Sequence, residues 1–74
     1  MTGKNQYVVR HGPHWGVRGE GDDRLTAVFD TQTEAVARGR AIAQNERSEL
    51  RIQGADGKFR EAWSYGDDPF PPPG

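Results

Sequence analysis

Two histidines are the first residues in this 74-residue sequence whose spacing could support chemistry. His11 and His14 are three positions apart, and Asp22 and Asp23 follow in a polar segment, so the four could in principle ligate a metal ion. A structural zinc site, however, normally uses four nitrogen or sulfur ligands, and the chain has no cysteine. We therefore predict no metal site and interpret the histidines as exposed turn residues.

Catalytic groups are equally sparse. Ser48 and Ser64 do not lie in a strand-turn-helix elbow that would expose a nucleophile. The run Gly19-Glu20-Gly21 lacks the lysine and the following helix of a phosphate-binding loop. No cluster of titratable residues with mutually perturbed pKa values can be assembled from the sequence. The sequence therefore predicts no enzyme, no catalytic residue and no cofactor.

Basic residues give a more specific pattern. If Trp15, Val17, Leu50, Ile52 and Phe59 face a helix, strand alternation sends the side chains between them to the opposite face of a sheet. Arg10 joins that face if Val9 points inward. A basic face can follow a phosphate backbone, with an affinity that falls as salt is added. The candidate nucleic-acid-binding residues are Arg10, His14, Arg18, Arg51, Lys58 and Arg60.

Two other interpretations stay open. An uncovered antiparallel face must be polar in any case, and the net charge of −1 is not that of a dedicated nucleic-acid binder. The chain could instead be a protein-interaction module, either an adaptor or a small phage-type inhibitor, that docks through a sheet edge or its proline-rich end. The candidate partner-binding residues are Trp63, Tyr65 and Phe70.

The first half of the chain predicts the elements that would position these residues. Residues 6–10 and 14–18 read as a hairpin around a Gly-Pro turn, and residues 25–29 read as a short third strand. A helix over residues 31–46 opens with Thr31 and Glu34 at the spacing of a capping box. Its apolar face is made of small residues, and Gly39 in mid-helix predicts close packing on a sheet.

The second half predicts another hairpin and a tail. Residues 48–53 and 58–65 are β-prone and flank an Asp56-Gly57 turn. The expected fold is a two-layer α+β domain, with one helix on a four- to five-stranded antiparallel sheet in the order β-β-(β)-α-β-β. We expect residues 1–5 to be a flexible N-terminus, residues 6–66 to be the domain and residues 67–74 to be a disordered proline-rich tail.

Size and composition limit what such a domain can do. A chain this short buries only about 60% of the surface that it exposes when unfolded, so binding on a surface is favoured over binding in a deep cavity. We expect no membrane span and a cytoplasmic location, because no apolar run is long enough to be a signal peptide or a transmembrane helix. The sequence does not indicate the oligomeric state, although edge strands leave a dimer open.

Several motifs resemble those of a known family. They are His14-Trp15-Gly16-Val17-Arg18, the run from Phe29 to Ala35, Glu49-Leu50-Arg51-Ile52, the run from Gly54 to Glu61, and Tyr65-Gly66. From about Tyr7 to Gly66 the chain resembles the bacterial family catalogued as domain of unknown function 2188. The resemblance implies this fold and a bacterial or phage setting, and it implies no activity.

Overall fold

Five strands and one helix make up the part of the chain that the computed structural model describes, residues 4–65. The elements are β1 (Gln6–His11), β2 (His14–Gly19), β3 (Ala27–Phe29), α1 (Gln32–Glu46), β4 (Glu49–Gln53) and β5 (Phe59–Ser64). The strands form one sheet in the order β3-β2-β1-β4-β5, and α1 packs on one side of it. The predicted α+β fold is confirmed.

One pair of strands departs from the antiparallel sheet that we predicted. β1 and β4 run parallel, with Gln6 beside Leu50 and Val8 beside Ile52, whereas the other neighbouring pairs are antiparallel. The helix explains the difference, because it carries the chain back across the sheet to the side of β1 that β2 leaves free. A strand that follows such a crossover enters in the same direction as β1.

The helix begins and ends as its sequence predicts. Thr31 is the N-cap, and its hydroxyl oxygen accepts a hydrogen bond of 3.2 Å from the Glu34 backbone N–H. That hydroxyl also donates to Glu34 Oε1 at 3.2 Å. At the other end Arg47 adopts a left-handed conformation with φ of 54°, and its backbone N–H contacts the carbonyl oxygens of Ala43 and Gln44. Both ends therefore satisfy backbone groups that a helix leaves unpaired.

Small helical residues pack against branched residues of the sheet. A Cβ added to Gly39 would lie 2.9 Å from Leu50 Cδ1 and 3.1 Å from Val8 Cγ2. A larger residue at this position would push the helix away from the sheet, which confirms the predicted close packing. The buried apolar residues are Val8, Val17, Ala35, Ala43, Leu50 and Ile52.

The third strand is two residues shorter than predicted, because Leu25 and Thr26 contact β2 without pairing in the sheet. Pairing begins only at Ala27, which lies opposite Val17. The Thr26 N–H donates to the Val17 carbonyl oxygen at 2.6 Å and holds the chain beside β2. Leu25 covers Gly16, since a Cβ added to that glycine would lie 2.7 Å from Leu25 Cδ1.

Candidate nucleic-acid interface

Alternation along β1 decides which side chains lie on the open face, the side of the sheet away from α1. Val8 is completely buried beneath the helix, and Gln6 is buried on the same side. Because successive side chains of a strand point to opposite sides, Tyr7 and Val9 lie on the open face and Arg10 lies on the helix side. The same rule places Arg18 on the open face, since its neighbour Val17 is buried.

Tyr7 lies between two arginines of neighbouring strands. The strand register pairs it with Arg18 of β2 and with Arg51 of β4. The guanidinium carbon of Arg18 is 5.5 Å from the centroid of the Tyr7 ring, within the range of a cation–π interaction. Arg51 donates to Glu49 Oε1 from Nε at 3.2 Å and from Nη2 at 3.1 Å. A phosphate that bound to Arg51 would therefore have to displace the Glu49 carboxylate from its guanidinium.

A β-bulge brings a second aromatic ring to the open face. β4 and β5 pair regularly as far as Ile52 and Glu61, and the register then shifts so that Gln53 lies opposite Phe59. Phe59 is 49% exposed, and its ring centroid is 5.7 Å from that of Tyr7, with 57° between the ring planes. The prediction that Phe59 faces the helix is wrong, because the bulge adds one residue and reverses the alternation beyond it.

Arg10 does not join this group. Its inclusion depended on an inward Val9, whereas Val8 is the buried residue. The Arg10 guanidinium carbon lies 5.0 Å from the centroid of the Trp15 ring. Arg10 also donates to the carbonyl oxygens of Gly12 at 3.0 Å and Ala55 at 3.2 Å. On the helix side it therefore ties two turns together.

The remaining basic candidates lie at one end of the sheet. His14 is exposed, and its Nδ1 is 3.5 Å from Asp30 Oδ1. Lys58 and Arg60 lie beside the turn between β4 and β5, where the Arg60 guanidinium pairs with the Asp56 carboxylate. The backbone N–H of Lys58, followed by that guanidinium, lowers the pKa of Asp56 below its ordinary value of 3.8. The structure thus brings Arg18 and Arg51 to either side of Tyr7, whereas Arg10, His14 and Arg60 contact other groups.

The partner-binding candidates also separate. Trp63 is 48% exposed and lies opposite Leu50, and its Nε1 donates to Glu61 Oε1 at 3.1 Å. Tyr65 packs against the buried core. Phe70 lies outside the described residues. Trp63 is therefore the candidate whose exposed ring is available on the helix side of the sheet.

A groove of about 250 Å³ separates α1 from β5 on that side. Val36 and Ile52 form its apolar part, and Arg40 and Glu61 are among its polar residues. Because Arg40 and Glu61 carry opposite charges, the groove has no net charge that would favour an anionic ligand. The concave surface is thus a weaker candidate for nucleic acid than the open face.

The acidic and histidine side chains of the described residues are too scattered to form a metal site. Within residues 4–65, no group of three or more histidine, cysteine, aspartate or glutamate side chains could hold a metal ion. His11 and His14 lie opposite each other at the end of the first hairpin. The described part of the chain also has no helix with the length and apolar character needed to cross a bilayer.

Tyr7 and Phe59 are the aromatic residues of the open face that the sequence did not predict there. Tyr7, Val8 and Val9 are three consecutive apolar residues, so alternation cannot choose which of them faces the helix. The position of Phe59 depends on a bulge that no residue type in the turn announces. Gln6 is buried on the helix side although it is polar, so its residue type predicts the opposite alternation and gives no signal that Tyr7 lies on the open face.

The sequence model of the family described as "Uncharacterized protein conserved in bacteria (DUF2188)" matches residues 6–65. The chain belongs to this family. The similar proteins include the uncharacterized protein YdaT of Bacillus subtilis (strain 168), which is 33% identical over 60 residues, or 81% of this chain and 40% of that protein. The chain thus spans less than half the length of this relative. No solved structure matches the chain.

Proposed function

We propose that this domain is a non-catalytic binding module that holds single-stranded nucleic acid on its open face. The observation that carries the proposal is the contact between Tyr7 and Phe59 on a sheet face that no helix or strand of residues 4–65 covers, with Arg18 and Arg51 beside them. Sheet-based modules hold single strands by stacking bases on exposed aromatic rings, and they contact the phosphates with basic side chains.

The two rings have different parts in this proposal. Phe59 is half exposed and is the ring that an unpaired base reaches first. Tyr7 is partly buried and supports Phe59, and it contacts the Arg18 guanidinium, whose Nη1 also donates to the Asp22 carbonyl oxygen at 3.0 Å. A guanidinium plane held in this way can itself stack on a base. Stacking therefore supplies most of the affinity.

Charge makes a smaller contribution. The overall net charge of −1 gives no general attraction to nucleic acid. Two arginines that each neutralise one phosphate give a slope of about −1.4 for log affinity against log salt, because a single strand contributes about −0.7 for each contact. Binding should thus weaken with salt less than the binding of a strongly basic protein.

Fluorescence anisotropy tests the proposal with labelled oligouridine, oligothymidine and duplex DNA. Phe59→Ala should weaken binding to the single strands about tenfold, the loss expected for one stacked base. The matched control is Trp63→Ala, because Trp63 lies on the same strand with nearly the same exposure, 48% against 49%, but on the opposite side. This control should bind like the unmodified domain.

A second pair of variants tests the charges. Arg18→Glu should weaken binding to the single strands, whereas Arg38→Glu makes the same change of charge on the exposed surface of α1 and should leave it unchanged. Binding to none of the probes at low salt would refute the proposal, and protein docking would become the favoured function. Tighter binding to duplex DNA, or equal losses in the variants and their controls, would also contradict it.

A further inference from the structure

We infer that β5 pairs with the β5 strand of a second copy of this chain, so that two sheets join edge to edge around a two-fold axis. β5 lies at the end of the sheet, and all six of its residues are exposed. An exposed edge strand offers unpaired backbone N–H and C=O groups to another strand. This inference depends on β5 and is independent of the proposed function.

Within residues 4–65, the backbone groups of β5 that face no neighbouring strand belong to alternate residues. The Tyr65 N–H donates to the Ser48 carbonyl oxygen at 3.1 Å and so points toward β4. Trp63 and Glu61 have the same orientation, because backbone groups alternate between the two edges of a strand. The residues whose N–H and C=O groups point away from the sheet are Ala62 and Ser64, because the bulge at Arg60 interrupts the alternation on the other side of Glu61.

The side chains of Glu61 and Trp63 select one register. In an antiparallel pair around a two-fold axis, Ala62 lies opposite Ala62 of the second copy, and their outward N–H and C=O groups bond each other. A shift of the register in one direction brings Glu61 opposite Glu61, where like charges repel. The opposite shift brings Trp63 opposite Trp63 and moves each Glu61 away from the indole of the second copy. The register centred on Ala62 is therefore favoured by the pairing of these side chains.

The side chains are complementary in this register. Glu61 of each copy lies opposite Trp63 of the other, in a pair whose Cα atoms approach to about 4.5 Å. These two side chains already form a hydrogen bond within β5, from Nε1 to Oε1 at 3.1 Å. The second copy would offer each indole another carboxylate and would cover a ring that is 48% exposed. The occupant that β5 fits is thus a second β5.

Cysteine cross-linking tests the register, since the chain has no cysteine of its own. Ala62→Cys places two thiols opposite each other with Cα atoms about 5.5 Å apart, a separation that a disulfide spans. The matched control is Ser64→Cys on the same edge, where the two thiols are about 13 Å apart along the strands. After mild oxidation we expect a covalent dimer from Ala62→Cys and none from Ser64→Cys.

Sedimentation equilibrium tests the dimer itself. Ala62→Pro removes an N–H that points outward, so the pairing with β4 is kept, because an edge strand tolerates proline at such a position. This variant should raise the dimer dissociation constant about 30-fold, the factor that two ordinary hydrogen bonds are worth. A monomer at every concentration, a dimer unaffected by Ala62→Pro, or equal cross-linking at positions 62 and 64 would overturn the inference. If the proline variant fails to fold, the cross-linking comparison still decides it.

Discussion

Gly39→Ala should change the free energy of unfolding through two opposing effects, a gain in helix propensity and a loss in core packing. In mid-helix, alanine is favoured over glycine by about 1 kcal/mol, because glycine loses more backbone freedom on folding. The added methyl group, however, would lie 2.9 Å from Leu50 Cδ1 and 3.1 Å from Val8 Cγ2. Both of these residues are completely buried, so neither can move its side chain into solvent.

The packing effect should be the larger one. Extra atoms in a well-packed core typically cost about 1–3 kcal/mol. After the gain in helix propensity, the variant should lose about 1 kcal/mol in its free energy of unfolding. In a domain of this size that loss lowers the melting temperature by about 4–8 °C.

Urea unfolding of a double-mutant cycle measures the clash separately. Leu50→Val removes the nearest methyl group, so Gly39→Ala should cost at least about 0.5 kcal/mol less in that background. Ala37→Gly on the exposed side of α1 calibrates the helix propensity and should cost about 1 kcal/mol. A higher stability for Gly39→Ala alone, or the same cost in both backgrounds, would refute the reasoning.

Two further predictions concern single polar groups. Ser48 is 2% exposed, and its hydroxyl has no hydrogen-bond partner among residues 4–65. Ser48→Ala should therefore raise the free energy of unfolding, measured with urea, by about 1 kcal/mol. A decrease would show that the hydroxyl forms a hydrogen bond. Folding lowers the pKa of Asp56 below 3.8. Its contribution to stability is therefore fully present above pH 3.8 and is lost as the pH falls through the pKa of Asp56 in the folded state. Asp56→Asn should therefore lower the melting temperature more at pH 7 than at acidic pH. Asp23→Asn, in the exposed loop, is the control and should show no such difference between the two pH values. An equal decrease for Asp56→Asn at both pH values would contradict the role of Asp56.

The features predicted correctly from the sequence depend on neighbouring residues. Thr31 and Glu34 are three residues apart, and together they cap the helix that they predict. The turns at Gly12 and Gly57 both use positive φ angles, of 60° and 82°, which glycine adopts without strain. Such signals act over a few residues, so the local sequence is enough to specify them.

The missed features depend on residues that are distant in the sequence. The parallel pairing of β1 with β4 follows from where the helix returns the chain, and the bulge after Ile52 follows from how two strands meet across a turn. Two errors exchanged the faces of side chains: the bulge puts Phe59 on the open face, and the burial of Val8 instead of Val9 puts Arg10 on the helix side. The face of a strand can thus be predicted only as far as its alternation is unbroken.

The parallel pairing of β1 also fixes the order in which the sheet can be completed during synthesis. β2 follows β1 after a short turn, so the first hairpin can form early, whereas Gln6 meets Leu50 only after α1 has left the ribosome. Until then the inner edge of β1 is unpaired, and the nascent chain carries an exposed strand edge of the kind that favours aggregation. β1, the middle strand of the sheet, is therefore synthesised before the other strands, but one of its edges stays unpaired until β4 has been made.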